Sequence, residues 1–404
     1  MMKLRRYTYI VALGALSLTY VSCYNSEHEF PDFEGGTTAY FAYQFPIRTL
    51  VLGNDIYDNT LDNEHKCRIW ATMGGAYHGR KATVDIAVDK SLCDNLYFVD
   101  EGGNAAAPVL PLPSTYYKLL SDAIPYNNDT RGYVEVQFTD DFFNDEKAIA
   151  NTYVIPLVMT SAKGIDHILT GTPREGLSPS RTNTEDWEIL AKDYVLYCVK
   201  YMNPWQGKYI RRGVDNVSEN GTTTTIVRRD LSLVNSDLEH YTENPVNAND
   251  EVCGITTKNM SQAIFPVSFS IGKDEYGIRP SQQCNLILTF NGSQCSISAD
   301  DDEIPSTGAG EFIVKGTEKP EYKDYQWGNM NGQPVQRDIL RLAYEVTFKK
   351  GRVIGKRIVK QGGKDVEVEW VLENDVTIST NDTLVVQTRE SNKKEFFSPK
   401  YIKQ

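Results

Sequence analysis

Apolar residues recur at every second position along most of the chain, the spacing of a strand with one buried and one wet face. Val134, Val136 and Phe138 share one face, and Phe265, Val267, Phe269 and Ile271 do the same. Cys284, Leu286, Leu288 and Phe290 form another such set, followed by Leu340, Leu342, Tyr344, Val346 and Phe348. Val366, Val368, Trp370 and Leu372 complete the series, with Asp365, Glu367 and Glu369 between them. Turn signals at Gly74-Gly75, Asn291-Gly292, Lys350-Gly351 and Gly362-Gly363 separate the runs. A spacing of 3.6 surfaces only briefly, at residues 140–151 and 235–239. The pattern predicts an all-β protein.

Residues 171–186 collect Pro, Gly, Ser and Thr with almost no apolar content and read as a loop or linker. An apolar strand follows over residues 193–202, and a fresh set of strands starts at Gly207. The expected organisation is therefore a domain over residues 35–202 and a second over 203–404. The first, with fewer strands and longer loops, suits an immunoglobulin-like β-sandwich. The second, with a meander of strands, suits a lipocalin-like β-barrel, whose closure removes exposed strand edges.

Residues 1–22 have the layout of a secretory signal: a basic start at Lys3, Arg5 and Arg6, then an apolar run ending in a small residue. The run falls short of the roughly 20 apolar residues of a membrane span. Cys23 directly after Ser22 predicts lipidation, with residues 23–34 as a tether and an outer-membrane, lipid-anchored location. Export permits disulfides among the six other Cys of the seven. A two-residue turn at Asn291-Gly292 would set Cys284 opposite Ala299 and Cys295 opposite Leu288, so these two thiols are out of register. Most of the Cys are expected to be small buried hydrophobes.

With 42 Lys and Arg against 54 Asp and Glu, the net charge of −12 excludes a polyanion such as nucleic acid as a general partner. No Cys-x-x-Cys occurs and the five His are scattered, so no metal centre or cofactor is expected. Asp300-Asp301-Asp302-Glu303 is the densest acidic cluster, readable as a solvated turn or as oxygen ligands for calcium. Gly74-Gly75-Ala76-Tyr77-His78-Gly79 lacks the Lys-Ser/Thr of a phosphate loop and reads as a hairpin turn. No Gly-x-Ser-x-Gly elbow is present. No catalytic residues are assigned, and the chain is expected not to be an enzyme.

Several phrases resemble a Bacteroidetes family. They include Pro46-Ile47-Arg48-Thr49-Leu50-Val51, Leu61-Asp62-Asn63-Glu64-His65-Lys66, Leu112-Pro113-Ser114-Thr115-Tyr116-Tyr117 and Tyr153-Val154-Ile155-Pro156-Leu157. Together they resemble the sandwich domain that precedes family 18 modules in Bacteroidetes endo-β-N-acetylglucosaminidases and recurs in lipoproteins of glycan-uptake systems. Residues 201–209 resemble the entry to a lipocalin-like domain of enzyme-free relatives, and Arg337-Asp338-Ile339-Leu340 fits its closing strands. The Asp-x-x-Asp-x-Asp-x-Glu strand of a family 18 glycosidase is missing. The resemblance implies a surface lipoprotein in a glycan context, with carbohydrate as ligand and components of an uptake complex as protein partners.

Sugar recognition uses flat rings against the C–H face of a pyranose. Trp70 and Trp370 lie among apolar strand residues and read as core. Trp187 and Trp205 fall near the domain junction, and Trp327 with Tyr325 sits in a loop rich in aromatics, amides and Gly. Trp327, Tyr325, Trp205 and Trp187 are therefore the candidate ligand-binding residues. The rival expectations are an adhesin-like or scaffolding lipoprotein binding a protein through a strand edge, and a hydrolase in the C-terminal barrel.

Overall fold

The computed structural model describes residues 32–227, 251–271, 280–325, 329–330, 332–389, 391 and 394–403. The leader, Cys23, the second helical stretch at residues 235–239 and Trp327 lie outside them.

The N-terminal sandwich is built on β1 (Thr38–Tyr40), β2 (Pro46–Val51), β3 (Lys66–Gly74), β4 (Arg80–Val88), β5 (Ala123–Asp129), β6 (Arg131–Phe138), β7 (Tyr153–Lys163) and β8 (Tyr194–Met202). One sheet has the order β1-β3-β6, extended by the short strands His167–Ile168 and Tyr117–Leu119. The other runs β2-β8-β7-β4-β5, with β8 parallel to β2. Alternation decides which side chains meet between the sheets. Cys67, Ile69, Ala71 and Met73 of β3, beside Val134 and Val136 of β6, pack against Leu157 of β7 and Val195, Val199 and Tyr201 of β8. The helical signal at residues 140–151 resolves into a short α-helix, Asp140–Asn144, and a 3-10 turn, Glu146–Ile149. Its Phe142 and Phe143 close one end of the core, each burial stabilising by about 1.5–3 kcal/mol.

The barrel meanders through β9 (Gly207–Glu219), β10 (Glu251–Thr257), β11 (Gln262–Ser270), β12 (Ser281–Asn291), β13 (Gln294–Ala299), β14 (Ser306–Ile313), β15 (Ile339–Phe348) and β16 (Val376–Thr388). Pairing of β9 with β16 over almost their whole lengths closes eight antiparallel strands on themselves. The hairpin between β12 and β13 turns at Gly292-Ser293 rather than Asn291-Gly292, pairing Asn291 with Gln294 and Phe290 with Cys295. Gly292 has φ of 63° and Ser293 does not share that sign, which is the Gly-first turn that suits hairpin twist. The register moves by two positions from the expectation, and Cys284 and Cys295 still do not meet. All six Cys among the described residues are buried, and none forms a disulfide with another of them.

Between β15 and β16 the strands Val353–Gln361 and Lys364–Val371 form a two-stranded ribbon. Only its base is buried: Ile354, Trp370 and Leu372 join the barrel core, while Ile358 and Val366 stand in water. The apolar face expected for Val366, Val368, Trp370 and Leu372 is therefore half solvent-exposed, because the ribbon projects beyond the barrel wall.

The two domains are tied twice. Asn203-Pro204-Trp205-Gln206 links β8 to β9, and the chain after β16 returns to the sandwich. Glu395–Phe396 pairs with Pro46 and Ile47 of β2, Pro399–Tyr401 pairs with Leu96–Val99, and Phe397 enters the apolar layer outside the second sheet. Residues 395–401, assigned to the barrel domain from the sequence, thus belong structurally to the sandwich. Arg389, at the end of β16, is buried between the two. Its guanidinium donates to the carbonyl oxygens of Leu52 and Asn54 (both 2.8 Å), Asn203 (2.6 Å) and Gln206 (3.1 Å). Asn203, fully buried, binds in turn to Thr257, Asn259 and Gln262 of the barrel. Gly53 makes the close approach possible: its φ is +86°, and a Cβ there would stand 2.6 Å from Pro204 Cβ.

Arg389→Met keeps the side-chain length and removes every donor, leaving buried carbonyls without their charged partner. The expected loss is about 3 kcal/mol or more in denaturant unfolding, with one cooperative transition splitting into separate sandwich and barrel transitions.

Candidate functional site

The barrel lumen is the first place to look for a ligand, and it is full. Phe265, Leu286, Leu288, Leu340, Val346, Phe348 and Leu384 have no solvent-accessible area, so no water-sized void touches them. Trp205 plugs one end, stacked on Phe290 at 3.7 Å with an interplanar angle of 5°. Midway along the lumen lies a polar cluster that the alternation hides. Arg211, with no exposed area, pairs with Asp382 (2.8 Å) and Glu251 (3.1 Å) and donates to the Tyr344 hydroxyl (2.7 Å). Tyr344 donates to Asp382 at 2.9 Å, and Thr380 donates to Asp215 at 2.9 Å. Burial opposes the Arg211 charge, but Tyr344, Asp382 and Glu251 outweigh it and hold the proton more tightly than usual. Burial drives the Tyr344 hydroxyl well above its ordinary pKa. Asp215 and Asp382 are buried and hydrogen-bonded to neighbours, while Glu251 is one-third exposed, an arrangement in which the charges of the cluster serve packing.

The three ring candidates among the described residues fall in three different places. Trp205 is the barrel plug just described, with Tyr209 donating to its carbonyl at 2.6 Å. Trp187 lies away from the junction, in the apolar layer outside the second sheet, its indole N–H donating to Ser180 O at 3.0 Å. Tyr325 packs on the outer barrel wall with Tyr322 and Ile210, under the Arg212 guanidinium at 4.8 Å. All three rings are buried and present no face to a ligand. Trp327 lies outside the described residues.

Trp70, expected in the core, is the exception in the opposite direction. Since Cys67, Ile69, Ala71 and Met73 take the inner positions of β3, Trp70 faces out with Arg68 and Thr72 and is 46% exposed. Its cross-strand partner Tyr133 lies 4.7 Å away by ring centroids, and the Arg131 guanidinium sits 5.6 Å from the indole. Trp70 forms one wall of an open cleft of about 440 Å³ between β3, the edge of β2 and the returning tail. Tyr43, 62% exposed, and Phe396, 51% exposed, also line the cleft, with ring centroids 5.3 Å apart. Polar groups line the floor in fixed positions: Lys200 pairs with Glu395 at 2.9 Å, and Arg48 pairs with the buried carboxylate of Asp62. Asp62 also accepts the Val51 N–H at 2.9 Å. Burial pushes its pKa up, against the pull of Arg48.

A second cavity of about 570 Å³ lies across Arg389, between residues 54–57 and the loop before β15. Asp338 accepts from Lys315 N (2.7 Å) and Asn54 Nδ2 (3.4 Å), and Arg337 donates to Val386 O and Gln387 O. Burial pushes the Arg337 pKa down to about 10. These groups serve the domain junction, and no aromatic ring pair stacks over this cavity among the described residues. The acidic run at residues 300–303 turns to cations: Asp300 meets Lys258 at 3.3 Å and Asp301 meets Arg352 at 3.8 Å. No group of metal-ligating side chains occurs among the described residues.

This architecture has known counterparts. A family model described as a domain of unknown function, DUF5627, matches residues 204–390, and a separate N-terminal-domain model matches residues 33–166. A solved structure of a Bacteroides ovatus protein of unknown function is 35% identical, with a TM-score of 0.70. The match covers 92% of this chain and 100% of that one. No curated protein matches the chain. The chain belongs to the family of the Bacteroides ovatus protein, with the DUF5627 domain as its barrel.

Asp382→Leu alone leaves Arg211 charged in the lumen and is expected to destabilise the barrel by about 3–5 kcal/mol in denaturant unfolding. Arg211→Met combined with Asp382→Leu removes both charges and is expected to recover most of that loss, showing that the pair serves packing.

Proposed function

We propose that the protein is a non-catalytic lipoprotein, anchored to the outer membrane through Cys23, that binds or presents glycan for an uptake system at the Trp70 cleft. The observation that carries the reading is the pairing of a half-exposed indole with two exposed rings across an open cleft floored by ion pairs. Large rings left in water are costly unless covered or used. Here they face one another over a space suited to a sugar ring, with Arg48, Lys200 and Glu395 placed to fix hydroxyls. The non-catalytic part of the reading is supported by the packed lumen, where Asp215 and Asp382 are buried and each is hydrogen-bonded to a neighbouring side chain. The signal-like leader and the phrases resembling glycan-uptake lipoproteins support the location.

The adhesin-like or scaffolding reading has one observation in its favour. The ribbon of Val353–Gln361 and Lys364–Val371 pairs with no other strand among the described residues and exposes Val353 and Ile358. Its cross-strand charges, including Lys356 with Glu367 at 3.0 Å, are satisfied within the ribbon, which blunts its edges against pairing. The cleft is the stronger site.

Affinity electrophoresis of the purified protein against host and plant polysaccharides tests the proposal. Retardation by at least one polymer is expected, with Trp70→Ala weakening it about tenfold, the effect of losing one stacking contact of about 1.4 kcal/mol. Retardation unchanged in Trp70→Ala removes the site. No retardation by any polymer removes the function and leaves the ribbon reading.

A further inference from the structure

We infer that the saccharide taken by the Trp70 cleft is anionic, carrying carboxylate or sulfate groups. The inference rests on the glycan reading and adds the charge class of its ligand. The whole chain is acidic, with 54 Asp and Glu against 42 Lys and Arg, yet the surroundings of Trp70 reverse that balance. Arg48, Arg68, Arg131, Lys200 and Lys394 stand around or in the cleft, against Asp62, Glu135 and Glu395.

The pairing pattern sharpens the point. Arg48 is taken by Asp62, Arg68 by Glu135 at 2.8 Å, and Lys200 by Glu395. Arg131 and Lys394 are left over: both are exposed, and neither has an ion-pair partner among the described residues. Arg131 lies over the indole, and Lys394 lines the cleft next to the Glu395–Phe396 strand. A guanidinium beside a stacking platform matches the planar oxygens of a carboxylate or sulfate on a stacked sugar. A neutral sugar gains nothing comparable from two unpaired cations. The acidic body does not oppose this at close range, since in physiological salt exposed charges are screened beyond about 8 Å.

The test pairs each anionic polymer with its neutral counterpart: polygalacturonate with its methyl ester, and dextran sulfate with dextran. Calorimetric or electrophoretic affinities are measured for the intact protein, for Arg131→Gln/Lys394→Gln, and for Trp70→Ala. Both charge substitutions lie on the surface, so folding is expected to survive, and circular dichroism confirms it.

The expected result is binding of an anionic polymer at least tenfold tighter than its neutral partner. That preference is expected to fall as salt rises from about 0.01 to about 1 M, over which the Debye length shrinks from about 30 to about 3 Å. Arg131→Gln/Lys394→Gln is expected to abolish the preference by weakening the anionic polymer at least tenfold more than its neutral partner, while Trp70→Ala weakens both. Equal affinity for the two members of each pair, or a preference that survives the charge substitutions, overturns the inference and keeps the glycan reading. Binding of none of the four overturns this inference together with the reading it rests on when the wider panel also fails.

Discussion

The arrangement of the two domains hangs on one buried cation. Arg389 is taken out of water and surrounded by carbonyl oxygens from the end of β2 and the loop after it and from the linker. Burial disfavours its charge and lowers its pKa from the usual arginine range, so the carbonyl dipoles must offset the desolvation. They do so only while sandwich, linker and barrel end stay in register. A sandwich rotated away from the barrel would strand a charge in apolar surroundings, which is why this contact acts as a lock. Asn203 distributes the same constraint into the barrel, and the tail beyond Arg389 carries it back onto β2.

The lock also shapes the cleft. Glu395 and Phe396 form part of its wall only because the tail leaves Arg389 in a fixed direction and pairs with Pro46 and Ile47. The rings of Tyr43 and Phe396, from opposite ends of the chain, meet as a consequence. The barrel contributes position to the site without contributing its lumen. In a ligand-carrying barrel the interior positions leave a cavity; here Trp205, Phe290 and the Arg211 cluster occupy them. That leaves the sandwich surface beside the domain junction for the proposed site.

Much of the fold was legible because a period of two with one polar face has few three-dimensional solutions. The alternations at residues 134–138, 265–271, 284–290 and 340–348 all appear as strands with those residues buried. The site was less legible. Trp70 was read as core because Ile69 and Ala71 flank it, yet counting by twos from Cys67 puts it outside with Arg68. Trp187 and Trp205 are candidates by their place near the domain junction and Tyr325 by its loop of aromatics, amides and Gly, and tertiary packing covers each of them. Nothing in the local pattern couples Arg211 to Asp382; their meeting depends on the closure of β9 against β16, more than a hundred and fifty positions apart in sequence. The partnership of Tyr43 with Phe396 is likewise a product of the returning tail.

The most direct measurement is a crystal structure of the protein soaked with an oligosaccharide cut from a polymer it retains. The account predicts a sugar ring lying on the indole of Trp70, in the cleft bounded by Tyr43 and Phe396, with the barrel lumen unchanged. Sugar bound at the ribbon, in the cavity beside Asp338 or within the barrel would contradict it.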